Sequence, residues 1–320
     1  MNKEDLRIVF FGTPDFAVES LRRLVEGGYN IVGVVTMPDK IAGRGHRLIQ
    51  SAVKQYAVEQ GLRLMQPERL KDEAFVNELR SLNAQLHIVI AFRMLPEVVW
   101  AMPPLGTFNL HASLLPKYRG AAPINWAVMN GDTVTGVTTF FLKHEIDTGD
   151  VIQQKAIEIG RTDNVEVVHD KLMLLGADMV LETVDAIIAG TVKPIPQLEM
   201  LQGELPTPAP KIFTETCHID WNRPAEELYN HIRGLSPYPA AWSELVDEQG
   251  DTHHVKIFAT SEPISKGGTA PGAITADGKH LIVDCADGCL EILSLQLSGK
   301  RRMPAADFMR GFTLDGFRFH

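Results

Sequence analysis

The sequence predicts an α/β protein with a mostly parallel sheet, followed by a smaller all-β part. Three observations carry this. Strand-length apolar runs alternate with amphipathic stretches through the first 190 residues, the pattern of βα units. A proline-rich stretch, Thr191 to Pro210, then breaks the periodicity as a linker does. Beyond it, short alternating runs are separated by the turn signals Gln249-Gly250, Asp277-Gly278 and Asp287-Gly288.

Leu6 to Phe11 is continuously apolar, as a strand buried on both faces must be. Gly12-Thr13-Pro14-Asp15 ends it and can N-cap the next helix through Asp15 or a neighbour; that helix stops at Gly27-Gly28. A second strand, Ile31 to Thr36, completes a Rossmann-like βαβ opening. The first turn lacks Gly-x-Gly-x-x-Gly, so no dinucleotide is indicated. Met37 to Leu48 is longer than an ordinary connection and carries Lys40, Arg44, His46 and Arg47, with Lys54 just beyond. It reads either as an arm gripping an anionic partner through Arg44 and Arg47, or as a solvated loop. Strands at Leu62–Met65 and Leu86–Phe92, a helix at Leu70–Ser81 and a short helix ending at Trp100 continue the alternation. Gly106 to Leu110 is a further strand, Ala121 to Met129 a short helix, and Gly136–Leu142 with Val151–Ile159 two more strands. The last helix of this part has Asp163 and Glu166 as a capping box, Val168, Leu172, Leu175 and Met179 on one face, and Gly190 at its end. After the linker, a helix from Pro224 to Gly234 precedes strands at 241–246, 254–259, 272–275, 281–285 and 290–297, and a helix spans 304–311. Short strands so spaced suit a small OB-like barrel, an architecture that grips oligonucleotides. The domains expected are therefore 1–190, a linker at 191–210, and 211–320.

Composition narrows the function. The 320 residues carry a net charge of −9, and the acid excess is shared by both parts. Any nucleic-acid contact must then come from local clusters, the early one around Arg44 or Lys300-Arg301-Arg302. No run has the eighteen or so apolar residues of a membrane span, and the charged N-terminus resembles neither a signal nor a transit peptide. Three sparse cysteines, Cys217, Cys285 and Cys289, suit a reducing cytoplasm.

The chemistry centres on Asn109-Leu110-His111. Side chains alternate along a strand, so the amide and the imidazole share a side at the strand's C-terminal end, where open α/β sheets hold their ligands. Taken alone, the pair more readily describes a turn asparagine and a satisfied buried histidine. Asp147, at the end of another strand, supplies a third partner. Asp147-Thr148-Gly149 occurs once, whereas an aspartic protease needs two carboxylates. Cys285 and Cys289 straddle a hairpin turn with no further ligand nearby, so no metal is expected. A nucleophile elbow and a P-loop are both absent. An amide, an imidazole and a carboxylate with no nucleophile suit direct acyl transfer between two bound substrates.

The run His111-Ala-Ser-Leu-Leu-Pro-Lys-Tyr-Arg-Gly-Ala-Ala-Pro-Ile124 resembles the signature of folate-dependent formyltransferases. Phe11 to Ala17, Pro38-Asp39 with Gly43-Arg44-Gly45, and Asp147 to Asp150 extend the likeness across nearly the whole chain. The resemblance implies Asn109, His111 and Asp147 as the catalytic trio and Ser113, Leu114, Leu115 and Pro116 as the border of the folate. It implies Arg44, with Arg47 and Lys40, as tRNA contacts on an insertion loop, and a tRNA-binding C-terminal barrel. The expected donor is 10-formyltetrahydrofolate, the expected acceptor methionyl initiator tRNA, and the expected state a cytoplasmic monomer. A nucleotide amino-sugar is the alternative acceptor. The sequence departs from the family pattern at Ala112, and at Ala91-Phe92-Arg93-Met94, where the extra arginine is expected near the pterin pocket.

Overall fold

The computed structural model describes residues 1–42, 47–201, 203, 205–265 and 270–320. The elements up to the first helix of the β-rich part are β1 (Ile8–Gly12), α1 (Asp15–Glu26), β2 (Ile31–Val35), β3 (Lys40–Ala42), β4 (Arg47–Ile49), α2 (Ala52–Glu59), β5 (Leu64–Met65), α3 (Glu73–Ser81), β6 (Leu86–Ile90), α4 (Glu97–Trp100), β7 (Thr107–His111), β8 (Arg119–Gly120), α5 (Pro123–Met129), β9 (Val134–Phe141), β10 (Val151–Glu158), α6 (Val165–Ala189), α7 (Gln197–Met200) and β11 (Pro208–Ala209). There follow α8 (Ala225–Leu235), β12 (Ala241–Val246), β13 (Thr252–Thr260), β14 (Ile274–Ala276), β15 (Leu281–Asp284), β16 (Cys289–Leu297), β17 (Met303–Pro304), α9 (Ala305–Gly311) and β18 (Arg318–Phe319). The chain forms two compact units. The first is Met1–Gly120, Thr135–Ile157 and His169–Pro208; the second is Ala121–Val134, Glu158–Val168 and Ala209–His320.

The first unit is built on the sheet β10-β9-β7-β6-β1-β2-β5. β1 runs parallel to β2 and β6, and β6 parallel to β7, whereas β7 and β9 are antiparallel. The expected mostly parallel, Rossmann-like sheet is therefore what forms. Every residue of β1 and β6 is buried, which is why their sequences are unbroken apolar runs apart from one histidine and one glycine. Helix α6 covers β7 and β9 from one face. A Cβ on Gly176 would lie 2.7 Å from Leu110 Cδ2, so glycine lets the helix approach the strand. The buried hydroxyls of Thr139 and Thr183 pair at 2.9 Å beside that contact. Because Leu110 faces α6, Asn109 and His111 face the other way.

Local capping differs from expectation. The N-cap of α1 is Pro14 without a side-chain bond, and Asp15 lies in the first turn, where its charge favours the helix dipole. The α6 start is held by Asn164, whose Oδ1 accepts from Val167 N at 3.0 Å. Asp163 instead turns back to accept from Gly160 N at 2.8 Å. Ser51 does cap α2, accepting from Lys54 N.

The second unit contains an antiparallel barrel in the order β14-β15-β16-β13-β12-β18, with β17 paired to β16. An antiparallel bridge between Ala273 and Arg318 closes it, and Phe319 N donates to Gly272 O at 2.9 Å. Alternation sets its interior: Ala241, Ser243 and Leu245 are buried between exposed or half-buried neighbours. Leu228, Ile232 and Leu235 of α8 join that core. Helix α5 belongs with this unit, because Asn125 Nδ2 donates to Gly234 O at 2.8 Å. The expected barrel forms. Its two-residue strands β17 and β18 are too short to show a period in sequence. Among the described residues no helix is long and apolar enough to cross a membrane.

Each unit buries a histidine. Burial pushes His87 down to about 4 and His231, with help from the Arg223 charge, also to about 4. Among the described residues neither ring nitrogen of His87 makes a well-formed hydrogen bond, and the weak backbone interaction with Val99 does not offset the burial. Both rings stay neutral when folded, whereas the unfolded chain takes up protons below the ordinary value of 6.5. The folded state is thus fully favoured above pH 6.5 and loses about 3 kcal/mol per histidine as pH falls toward 4. His87→Leu is expected to move the acid unfolding midpoint to lower pH, which circular dichroism at a series of pH values checks.

Candidate active site

The site forms at the C-terminal end of β7, inside the first unit. β7 is hydrogen-bonded on both sides, Asn109 opposite Val89 of β6 and Phe140 of β9. Its backbone is therefore rigid where the polar side chains emerge. The half-buried Asn109 amide has no hydrogen bond to any described residue, so it is uncommitted. His111 is 7 % exposed, and its Nε2 lies 2.8 Å from Tyr118 O. A carbonyl only accepts, so Nε2 carries the proton and a neutral ring presents its lone pair at Nδ1. Nδ1 faces Asp147 Oδ2 at 3.9 Å. That is too long for a hydrogen bond, so the two groups face one another without direct contact.

Asp147 comes from the loop between β9 and β10 and has φ 54°. Gly120 N donates to Asp147 Oδ2 at 3.0 Å. His111 and Asp147 are thus brought together, and Asn109 stands two residues before His111 on the same side of β7. The arrangement offers a free amide donor, an imidazole with one exchangeable nitrogen and a carboxylate behind it, the parts that general acid–base chemistry at a carbonyl requires.

The loop after β7 is pinned to β9. Thr138 Oγ1 donates to Ser113 O at 2.6 Å and accepts from Leu115 N at 3.1 Å, while Gln154 Nε2 donates to Leu115 O at 2.6 Å. Ser113 is buried with its hydroxyl donated to Lys117 O, and Leu115 is buried against Phe140 and Val151. Leu114 and Pro116 keep surface to offer.

Gly149 packs too closely for any side chain: a Cβ there would lie 1.6 Å from Phe141 O. Gly149→Ala must displace the Asp147 loop, and is expected to lower kcat about 10- to 100-fold. Steady-state kinetics together with the thermal midpoint check this.

In the basic segment, Lys40 is exposed on β3, Arg47 lies on β4 opposite Ala42, and Arg44 lies outside the described residues. The segment was legible as an insertion but not as a hairpin. Lys54, grouped with it by sequence, is committed to Asp39 at 2.5 Å and is no free cation. In the second unit Lys300 and Arg301 are exposed, while Arg302 lies 4.4 Å over the Phe258 ring. Arg93 is a brace: its guanidinium donates to Pro67 O and, at 2.7 Å, to Glu68 O. Sequence reasoning missed Gln197, because a glutamine in a proline-rich stretch carries no periodic or motif signal. Among the described residues no group of three or more His, Cys, Asp or Glu is placed to hold a metal.

Two family models match the chain: formyl transferase over residues 6–184, and the formyl transferase C-terminal domain over 211–313. The methionyl-tRNA formyltransferase of Bacteroides thetaiotaomicron is 66% identical, covering 100% of both chains. That of Porphyromonas gingivalis strain W83 is 50% identical over 98% of each. Among solved structures, HypX from Aquifex aeolicus in complex with tetrahydrofolic acid superposes with a TM-score of 0.63 at 19% identity, covering 95% of this chain and 47% of that one. The N-formyltransferase from Helicobacter canadensis, in complex with folinic acid and dTDP-3-aminofucose, gives 0.67 at 18% identity, covering 90% and 98%. At such identities these two show a shared fold. With both family domains matched and whole-length relatives at high identity, this chain belongs to the formyl transferase family and is a formyl-transferring enzyme.

Proposed function

We infer that the protein transfers the formyl group of 10-formyltetrahydrofolate to the α-amine of methionine on initiator methionyl-tRNA, giving formylmethionyl-tRNA for translation initiation. The observation that carries this is the trio on β7 and the β9–β10 loop, in a chain 66% identical over its whole length to a methionyl-tRNA formyltransferase. The amino-sugar alternative is not favoured, since whole-length relatives at 50% to 66% identity bear the tRNA-directed name.

As the amine attacks the formyl carbon, negative charge develops on the formyl oxygen. Asn109 donates a hydrogen bond to that oxygen, an interaction worth about 3 kcal/mol in comparable sites. His111 accepts the attacking amine's proton at Nδ1, because Nε2 is occupied by Tyr118 O. Collapse of the tetrahedral intermediate then breaks the bond from the formyl carbon to the 10-position nitrogen of the folate, which takes up a proton as tetrahydrofolate leaves. Asp147 orients the ring and stabilises its charged form during transfer. The pinned loop supports a folate border in which Leu114 and Pro116 meet the ligand, while Ser113 and Leu115 hold the loop in place. No metal takes part in this scheme. Functionally, residues 1–190 form the catalytic domain, 191–210 the connection and 211–320 the tRNA-binding domain, in a cytoplasmic monomer.

The test is incubation with 10-formyltetrahydrofolate and either methionyl initiator tRNA or an amino-sugar nucleotide. Formylation of the tRNA alone is expected; product with the sugar alone, or hydrolysis without an acceptor, overturns this function. Lys40, Arg44 and Arg47 are the proposed tRNA contacts. Arg44→Ala is expected to raise KM for tRNA and to reduce the slope of log KM against log salt by about one. Kinetics at several salt concentrations check this, and an unchanged tRNA KM counts against the basic segment as a grip.

A further inference from the structure

We propose that Gln197, with Arg119, is a positioning residue that locks the two loops of the active site together and sets where the Asp147 carboxylate stands relative to His111. The proposal rests on the function inferred above, since it deepens the account of the same site.

Gln197 is the first residue of α7, far in sequence from the trio, yet it is only 2 % exposed. Its amide uses its full complement of protein partners. Nε2 donates to Asp147 O and to Gly149 O, each at 2.8 Å. Oε1 accepts from Arg119 Nε at 3.0 Å and from Arg119 Nη2 at 2.7 Å. Two donor hydrogens and two lone pairs are thus satisfied by four bonds, an arrangement only a primary amide can make.

Its partners lie on the two segments whose separation matters. Asp147 and Gly149 belong to the loop carrying the carboxylate. Arg119 lies between Tyr118, whose carbonyl holds His111 Nε2, and Gly120, whose N–H holds Asp147 Oδ2. Gln197 therefore closes a ring of bonds from the carboxylate loop to the imidazole loop. Asp147 has a positive φ, which aspartate tolerates better than most residues, and the bonds around it fix that conformation. The carbonyl of Asp147 itself and that of Gly149, two residues on, are the ones Gln197 holds. A buried amide spending all four bonds here needs a reason beyond packing, because an apolar side chain would fill the same space without needing four aligned partners.

Gln197→Glu and Arg119→Gln separate this role from simple space filling. Glutamate has nearly the shape of glutamine and keeps an acceptor for Arg119, but it cannot donate to two carbonyls. Gln197→Glu is expected to lower kcat about 10- to 100-fold while KM for tRNA and for the formyl donor stay near wild type. Arg119→Gln, which leaves Gln197 in place without its charged partner, is expected to lower kcat in the same sense by a smaller factor. A second readout needs no turnover: the His111 ring resonances of the ligand-free protein, followed by heteronuclear NMR, are expected to move in both variants. If both variants fold and show wild-type kcat with unmoved His111 resonances, the proposal is overturned. If Gln197→Glu fails to fold, Arg119→Gln decides alone by the same two measurements. Should the wild type formylate no methionyl-tRNA, the inferred function fails, while the NMR comparison still tests the clamp.

Discussion

Asn109→Ala is expected to lower kcat by about 10²- to 10³-fold, with KM for the formyl donor nearly unchanged. The reasoning begins with the backbone. β7 is bonded to β6 on one side and β9 on the other, so truncating one side chain leaves the strand where it is. The Asn109 side chain is half-buried and makes no hydrogen bond to a described residue, so its removal leaves no protein group unpaired. What is lost is a donor aimed at the side of the strand where His111 also points. A donor that strengthens only as charge develops on the formyl oxygen acts on kcat rather than on binding. Asn109→Asp sharpens the comparison, because a carboxylate of the same size repels a developing oxyanion and is expected to fall at least as far. Single-turnover formylation of methionyl-tRNA with both variants measures the effect. A rate near wild type for Asn109→Ala removes the oxyanion assignment.

The parts of the molecule differed in how far their sequence exposed them, for physical reasons. β1 and β6 sit in the middle of the sheet, buried on both faces, and nothing but an apolar run can satisfy that position. Asn109 and His111 were legible because strand alternation alone places them on one side. Asp147 was legible only as a third polar group at a strand end; its meeting with His111 depends on the antiparallel β7–β9 pairing, which no local pattern encodes. The basic segment showed itself as too long and too charged for a connection, but three-residue strands such as β3 and β4 are shorter than any readable period. The cap of α6 was misassigned because Asp163 and Asn164 are both good caps and neighbours. The structure uses the asparagine for the helix and the aspartate for Gly160 N. Gln197 was hidden by its surroundings: prolines at Pro194 and Pro196 mark a linker, yet they also deliver one glutamine rigidly into a buried position.

Asp147→Asn is expected to lower kcat by about 10²-fold or more, and the geometry makes this substitution unusually clean. Asparagine is among the residues that tolerate a positive φ, so the backbone at φ 54° is not disturbed by it. Its carbonyl oxygen can still accept the Gly120 N–H bond now made by Oδ2 at 3.0 Å. The bonds that Asp147 O and Gly149 O accept from Gln197 involve backbone carbonyls and persist. Charge is then the one property removed. The ring of His111 is anchored through Nε2, so a proton gained in the reaction must sit on Nδ1, facing the carboxylate at 3.9 Å. At that separation the carboxylate acts on the proton-bearing ring through its charge and not through a hydrogen bond. The loss falls on the state in which the imidazole is charged, and hence on kcat, while the KM values for tRNA and the formyl donor stay close to wild type. Asp147→Glu supplies the control: it restores the charge but lengthens the side chain in a fixed loop, so activity between that of wild type and of Asp147→Asn is expected. If Asp147→Asn turns over at the wild-type rate, the carboxylate serves only to hold Gly120 N, and His111 completes the proton transfer without it.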